Sequence, residues 1–173
     1  MKKDQNADIL NRESSLRSEV QKAVKLLGDK HFTVGFAESC TGGLLSSYFT
    51  ELAGVSSVFM GSVVCYDNSI KKKFLKVSAE ALKNFGAVSS EVAKQMADGA
   101  QKELGVSVAV AITGIAGPGG GTDVKPVGTV FIAVAGLENE TQIFEHHFDG
   151  NRKQVQLQSC DEAIKHLNRF INK

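Results

Sequence analysis

Residues 33–43 constrain the fold most, because they join a short apolar run to a polar turn that contains Gly42 and Gly43. Residues 44–52 then have the pattern of a helix. The first N–H groups of a helix have no partner within it, and the helix dipole favours negative charge there. This strand-turn-helix order suits a bound phosphate or a developing oxyanion, although many such junctions only connect two elements.

Helical and strand-like segments alternate along the rest of the chain. The first helix is predicted to begin after Ser14 or Ser15 and to end at Gly28, following a polar, disordered tail over residues 1–12. Further helices are predicted over residues 70–75, 79–85, 90–104 and from 151 onwards, and strands over 58–66, 106–112, 127–134 and 141–148. Residues 13–173 are therefore predicted to form a single α/β domain. We expect three α/β/α layers with a mixed, mostly parallel central sheet.

Charge balance and cysteine content exclude several classes of protein. A formal net charge of +1 argues against a broad nucleic-acid-binding surface. No apolar run reaches the length needed to span a membrane, and Lys2 and Lys3 are not followed by the apolar core of a targeting signal. The three cysteines lack a C-x-x-C spacing, which fits a reduced cytoplasmic protein better than a disulfide framework or a zinc site.

A glycine-rich loop is predicted over residues 113–126, beyond the carboxyl end of a buried strand, where open α/β sheets usually bind ligands. The loop does not match a P-loop, because Gly120 stands where that motif needs lysine. It does not match the dinucleotide fingerprint either. A merely flexible loop is the alternative, but residues 113–121 contain five glycines, each of which is costly to order. We therefore predict that the loop lines a ligand pocket, with Thr113, Gly114 and Gly117 as candidates.

Arg152 is a candidate anion-binding residue in the first turn of the last predicted helix. A cation opposes the helix dipole at this end, so its placement favours a function beyond local stability. The guanidinium and the helix N-terminus could together hold a phosphate. The alternative is a solvated surface arginine.

Ser39, at the end of the first strand, is a candidate nucleophile that needs a base, because a neutral hydroxyl is weakly nucleophilic. The chain has no Gly-x-Ser-x-Gly elbow, and its histidines are poorly placed to serve. His146 and His147 are neighbours on a strand and face opposite sides, which predicts one surface and one core residue rather than a metal pair. Lys71 is a possible base if burial or the neighbouring lysines keep it neutral. Cys40 competes as nucleophile, but free cysteines are usually core residues.

Several motifs closely resemble the CinA C-terminal-domain family, in the right order from about residue 16 to residue 171. They are AESCTGG at 37–43, YDNSIK at 66–71, GAVS at 86–89, TGIAGPGGGT at 113–122, KPVGTV at 125–130 and FDGNR at 148–152. The resemblance implies a nicotinamide mononucleotide deamidase, which hydrolyses the carboxamide to nicotinate mononucleotide and ammonia in pyridine-nucleotide salvage. It also implies a homodimer. Longer members carry an additional N-terminal domain, for which this chain is expected to have no room.

The resemblance further implies a Ser/Lys amidohydrolase, with Ser39 as nucleophile, Lys71 as general base and Tyr66 as a third catalytic residue that relays or orients the proton. N–H groups near Thr41, Gly42 and Gly43 would stabilise the oxyanion. On physical grounds the glycine-rich loop would shape a nucleotide pocket, and Arg152 would meet the 5′-phosphate. This chemistry requires no metal or cofactor.

Two other functions remain open from the sequence. The first is a nucleotide-binding module without catalysis, associated with competence or DNA damage. In such a module Ser39 and Lys71 would have no shared catalytic role. The second is an amidase or esterase for another substrate, because pocket contacts set that choice. A buried Lys71 within hydrogen-bond reach of Ser39 would favour an enzyme, and a solvated Lys71 would count against one.

Overall fold

A five-stranded sheet forms the centre of the computed structural model, which describes residues 2–136 and 139–172, with side chains from residue 7 onwards. Its strands are β1 (Val34–Glu38), β2 (Phe59–Val64), β3 (Val108–Gly114), β4 (Thr129–Gly136) and β5 (Asn139–His147). They lie in the order β2-β1-β3-β4-β5. β1 is parallel to β2 and β3, whereas β4 is antiparallel to β3 and β5. Four of the five strands thus run in one direction, and the predicted mixed, mostly parallel sheet is confirmed.

Helices cover both faces of the sheet. They are α1 (Lys2–Asp29), α2 (Leu44–Thr50), α3 (Asn68–Leu75), α4 (Ala79–Phe85), α5 (Ser90–Leu104) and α6 (Arg152–Ile171). Helices α1, α2 and α6 share one buried apolar cluster with the sheet, and α3, α4 and α5 share a second. Because side chains alternate along a strand, Phe36 joins the first cluster and Ala37 the second. The predicted three-layer α/β/α arrangement is therefore confirmed.

The two faces of the sheet differ in side-chain size. The face below α1 and α6 carries the larger residues of β3 and β4, namely Val108, Val110, Ile112, Val130, Ile132 and Val134. The face below α5 carries mostly alanines, namely Ala109, Ala111, Ala133 and Ala135. Helix α5 in turn buries small residues on the side that faces the strands. Small residues on both surfaces allow a close approach of helix and sheet.

The first helix is longer than predicted. It begins at Lys2, not after Ser14 or Ser15, so residues 2–12 are its first turns rather than a disordered tail. Their polar sequence has no apolar periodicity, which is why the pattern did not indicate a helix. Contacts made in the folded state support these turns: Arg12 Nε donates to Asp8 at 2.9 Å, and Gln154 Nε2 of α6 donates to the same carboxylate at 3.0 Å. Met1 lies outside the described residues.

Strand ends differ from the prediction by a few residues. β3 continues through Thr113 and Gly114, which were assigned to the loop, because these residues pair with Phe131 and Val130 of β4. A Cβ on Gly114 would lie 2.8 Å from the carbonyl oxygen of Thr129, so this close pairing needs glycine. In the described part of the chain, no helix is both long and apolar enough to cross a membrane.

We predict opposite effects for two glycine-to-alanine changes in helices. A Cβ on Gly99 of α5 would lie 2.0 Å from the backbone oxygen of Leu75, at the end of α3. Gly99→Ala should therefore lower the free energy of unfolding by about 1–3 kcal/mol or more, because the backbone of α3 must move. Urea denaturation measures the change.

Gly28→Ala in α1 is the matched control, because a Cβ at Gly28 meets nothing within 4 Å. Alanine is the better helix former, so this variant should be unchanged or more stable by up to about 1 kcal/mol. Equal stability of the two variants would show that α3 and α5 are not in close contact in solution.

Candidate active site

The carboxyl ends of three parallel strands meet at one edge of the sheet, and a polar segment follows each of them. Ser39 follows β1, Tyr66 follows β2 by two residues, and the glycine-rich loop follows β3. Together with Arg152 from the start of α6, these segments line a cavity of about 250 Å³. A cavity of this size suits one small molecule rather than a polymer.

Lys71 is buried at the floor of this cavity, with 1% of its surface exposed. It lies on the first turn of α3, which Asp67 caps by accepting a hydrogen bond from the Ser69 N–H at 2.8 Å. The Lys71 Nζ is 3.0 Å from the Ser39 Oγ and donates to the carbonyl oxygens of Cys65 at 2.5 Å and Tyr66 at 3.2 Å. Within the described residues, no carboxylate forms an ion pair with it.

These surroundings favour the neutral amine. Burial lowers the pKa of Lys71 below its ordinary value. A neutral amine has two N–H donors and one lone pair, and the two carbonyl oxygens can accept both donors. The lone pair is then left for the hydroxyl proton of Ser39. Lys71 and Ser39 therefore have the geometry of a general base and its nucleophile.

Glu38 holds the turn that carries Ser39. Its carboxylate is fully buried and accepts hydrogen bonds from the N–H groups of Gly43 and Leu45, both at 3.1 Å, and of Ser46 at 2.9 Å. The Ser46 hydroxyl adds a fourth bond at 2.6 Å. The unpaired donors at the start of α2 are thus satisfied by a carboxylate of the preceding strand. Sequence reasoning missed this role, because Glu38 lies outside the positions where capping residues are usually sought.

This arrangement changes the assignment of the oxyanion donors. The Gly43 N–H is taken by Glu38, and the Gly42 N–H donates to the carbonyl oxygen of Ser39 at 3.1 Å. Thr41, Gly42 and Gly43 are also not among the residues that line the cavity. By contrast, the N–H groups of Cys40 and Thr41 donate to no backbone carbonyl in the described part of the chain. The Cys40 N–H directly follows the nucleophile, as oxyanion donors often do.

Tyr66 and Arg152 meet at the mouth of the cavity. Arg152 donates through Nη2 to the Tyr66 hydroxyl at 3.0 Å and through Nη1 to the Gly117 carbonyl oxygen at 2.8 Å. A guanidinium has five N–H donors, so these two bonds leave others for a ligand. The Tyr66 hydroxyl therefore contacts Arg152, and it is the Tyr66 carbonyl that contacts Lys71. A relay through the phenol is not needed, because Lys71 reaches Ser39 directly.

Cys40 also lines the cavity, beside Ser39. Burial raises the pKa of its thiol to about 12, so the thiol is protonated at neutral pH and weakly nucleophilic. None of the four histidines lines the cavity. His146 is half-buried and His147 exposed, as expected for neighbours on opposite faces of a strand.

Segment 87–88 is a second feature that sequence reasoning did not assign to the site. Ala87 and Val88 line the cavity together with residues of the glycine-rich loop. The Thr113 hydroxyl donates to the Ala87 carbonyl oxygen at 2.8 Å, and Lys125 Nζ donates to the Val88 carbonyl oxygen at 2.7 Å. Two side chains thus tie the loop and its strand to this segment. Ala87 and Val88 are small apolar residues between two helices, and such residues do not by themselves predict a binding site. In the sequence they were noted only as part of the GAVS motif that resembles the family.

Comparisons with known proteins find one family along most of the chain. A family model described as the CinA C-terminal domain matches residues 16–171. A CinA-like protein of Leptospira interrogans is 52% identical over 124 residues, which are 72% of this chain and 30% of the relative. A CinA-like protein of Thermotoga maritima is 44% identical over 148 residues, which are 86% and 36% of the two chains. The chain thus spans about a third of the length of the curated relatives it matches.

Solved structures agree with this match along nearly the whole chain. The competence/damage inducible protein CihA from Agrobacterium tumefaciens superposes with a TM-score of 0.88 at 37% identity, covering 92% of this chain and 96% of that one. A CinA superfamily protein from Klebsiella pneumoniae gives a TM-score of 0.87 at 29% identity, covering 91% and 98%. The fold described above is therefore that of these proteins.

We predict that Glu38→Gln lowers the free energy of unfolding by about 1–3 kcal/mol. Glutamine has nearly the same size as glutamate, but its NH2 group cannot accept a hydrogen bond. In the variant this group replaces one carboxylate oxygen, so the backbone N–H groups that donated to that oxygen lose their acceptor. Ser46→Ala removes only the hydroxyl bond and should cost about 0.5–1.5 kcal/mol. Urea denaturation of both variants measures the difference. A Glu38→Gln variant as stable as the wild type would mean that the carboxylate does not hold the turn.

Proposed function

We propose that this chain, which belongs to the CinA C-terminal-domain family, is an amidohydrolase that converts nicotinamide mononucleotide to nicotinate mononucleotide and ammonia. The observation that carries the proposal is the 3.0 Å contact between Lys71 Nζ and Ser39 Oγ at the floor of a cavity. A buried lysine without an acidic partner is costly in a scaffold. The same arrangement is useful to an enzyme, because an amine whose pKa is lowered by burial can act as a general base.

The first half of the reaction forms an acyl-enzyme. Neutral Lys71 accepts the proton of the Ser39 hydroxyl, and the Ser39 Oγ bonds to the carboxamide carbon. The carbonyl oxygen becomes an oxyanion, which the N–H group of Cys40, a residue that lines the cavity, would stabilise. One such donor is typically worth about 10²–10³-fold in rate. Protonated Lys71 then gives its proton to the amide nitrogen, the C–N bond breaks and ammonia leaves.

The second half consumes one water molecule. Lys71 is neutral again once ammonia has left, and it accepts a proton from water as the hydroxide oxygen bonds to the ester carbon. The ester bond to Ser39 breaks, and the proton returns from Lys71 to the Ser39 Oγ. The step yields the carboxylic acid and the original enzyme, and the acid then loses its proton to water to give the carboxylate. One base thus serves both halves of the reaction, as it does in other Ser nucleophile enzymes.

The family supports nicotinamide mononucleotide as the substrate, and the charges of the cavity are consistent with it. Arg152 lies at the mouth of the cavity, and only two of its five N–H donors are used by Tyr66 and Gly117. A 5′-phosphate could accept hydrogen bonds from the remaining donors while the carboxamide lies at Ser39. The glycine-rich loop and segment 87–88 would enclose the nucleoside. The homodimer and the cytoplasmic location remain predictions.

A binding module without catalysis is the weaker alternative. It would be expected to leave Lys71 in solvent, whereas Lys71 is buried against Ser39. An amidase for another substrate uses the same Ser39 and Lys71, and the assay below separates it through the choice of amide.

We predict that Ser39→Ala and Lys71→Met each lower kcat/KM for ammonia release from nicotinamide mononucleotide by at least about 10³-fold. The first variant removes the attacking oxygen and the second removes the base. Cys40→Ala is the matched control, since it alters the neighbouring residue of the same cavity, and should stay within about tenfold of the wild type. Circular dichroism checks that each variant is folded. Activity that survives Ser39→Ala would remove Ser39 as the nucleophile.

The pH profile gives a second test of Lys71. Only the neutral amine accepts a proton, so kcat/KM should rise with pH along a limb whose apparent pKa lies below the ordinary lysine value of 10.5. A limb at the ordinary lysine value would contradict the assignment of this buried amine as the base.

Arg152→Ala should raise KM for nicotinamide mononucleotide about 10–100-fold and leave kcat nearly unchanged, because a charge-assisted contact to the phosphate is lost. Lys153→Ala is the control, since it removes the same charge one residue further along α6. Nicotinamide riboside lacks the phosphate, and Arg152→Ala should have little effect on its KM. An equal effect on the KM of both substrates would show that Arg152 does not bind the phosphate.

A further inference from the structure

A second group of chemically active side chains lies away from the cavity. His146 on β5 faces Glu162 and His166 on α6, and one ligand atom from each of the three lies within 4.8 Å of the others. His166 follows Arg152 by fourteen residues on the same helix, which is about 21 Å at 1.5 Å per residue. This cluster is therefore separate from the proposed active site.

The two imidazoles present their nitrogens to each other. Their Nε2 atoms are 3.0 Å apart. Two nitrogens bound to one tetrahedral zinc ion at its usual bond length would be about 3.3 Å apart. A small rotation of either ring is thus enough to place both nitrogens on one metal ion. Glu162 lies one helical turn before His166, so the two side chains are neighbours on α6. A carboxylate oxygen of Glu162 lies within 4.8 Å of a ring nitrogen of each histidine.

Aromatic packing holds both rings in place. His166 stacks on Phe144 with ring centroids 3.5 Å apart and planes within 8°, and His146 stacks on Phe148 at 5.1 Å and 10°. Ligands whose orientation is set before the metal arrives lose little conformational freedom on binding. His166 is also buried, with 6% of its surface exposed.

The carboxylate of Glu162 is hydrogen-bonded to a lysine that has a second acidic partner. Lys165 Nζ donates to the Glu162 carboxylate at 2.8 Å. Lys165 also pairs with Asp161 at 2.7 Å, so it can keep that partner if Glu162 turns to a metal.

We propose that His146, Glu162 and His166 bind one divalent transition-metal ion, with Zn²⁺ as the preferred ion. Two imidazole nitrogens and one carboxylate oxygen suit zinc, whereas Mg²⁺ and Ca²⁺ prefer oxygen ligands. His146 and Glu162 are only half-buried, so water can supply a fourth ligand. The ion would join the edge strand β5 to α6 across twenty residues of sequence.

The site should bind zinc less tightly than a structural zinc site with a full set of supporting bonds. The His166 Nδ1 is buried without a hydrogen-bond partner in the described part of the chain. Metal-bound histidines usually donate this second N–H, and its loss typically costs about 10–100-fold in affinity. We therefore expect reversible binding that a chelator removes without unfolding the protein.

The test uses the full chain, stripped of metal with a chelator. Titration with Zn²⁺ in a calorimeter should give one equivalent bound, and Co²⁺ should give the visible absorption of a four-coordinate ion. At a hundredfold excess over the dissociation constant, zinc should raise the melting midpoint by roughly 5–10 °C. His146→Ala and Glu162→Gln should each weaken binding at least about tenfold.

His147→Ala is the matched control, because it removes the adjacent histidine on the opposite face of β5 and should leave zinc affinity unchanged. His146 is half-buried, so its variant should fold even if a variant of the buried His166 does not. Absence of zinc binding by the wild type overturns the proposal. Unweakened binding by both His146→Ala and Glu162→Gln also overturns it, because the ion must then lie elsewhere.

Discussion

The position of the proposed nucleophile depends on a buried carboxylate. Glu38 has no cationic partner in the described structure, and its burial is offset by three N–H groups and one hydroxyl at the positive end of α2. Since Glu38 and Ser39 are consecutive, the bonds that hold α2 also hold the nucleophile. The bond from the Ser39 N–H to the Ile112 carbonyl oxygen on β3, at 3.0 Å, fixes the other side of the turn.

The hydrogen-bonding surroundings of Lys71 differ from those of Glu38. The Glu38 carboxylate accepts four hydrogen bonds, whereas the Lys71 amine contacts two carbonyl oxygens and a hydroxyl. Burial lowers the pKa of Lys71 in the folded state, and between that lowered pKa and 10.5 the unfolded chain binds more protons than the folded one. The contribution of Lys71 to stability rises with pH across this window. Below it, the folded protein bears the cost of a buried charge, which is the cost of keeping a base close to Ser39.

The sequence predicted what depends on local pattern and missed what depends on distant contacts. Apolar periodicity indicated the layers and the mixed sheet. The family motifs indicated the roles of Ser39 and Lys71, and the position of Arg152 in the first turn of a helix indicated an anion-binding residue. The structure brings all three residues to one cavity. The helical turns before Ser14 were missed because Asp8 is held by Gln154, far along the chain. Gly42 and Gly43 were assigned as donors because nothing in the local pattern shows that Glu38 turns back onto α2. The His146–His166 contact joins a strand to a helix, and no spacing rule covers such a pair.

Core packing on the alanine-rich face of the sheet determines the position of the Lys71 amine relative to Ser39. Helix α5 packs on the alanine-rich face of the sheet, and the absence of a side chain at Gly99 lets the backbone of α5 contact the carbonyl group of Leu75 at the end of α3. Leu75 and Lys71 are one helical turn apart and both are buried, so the contact that seats Leu75 also directs Lys71 towards the end of β1. A larger residue at position 99 would push α3 outward and move the amine away from Ser39. Because proton transfer requires hydrogen-bond reach, the small residues of this face act on the chemistry as well as on the stability of the fold.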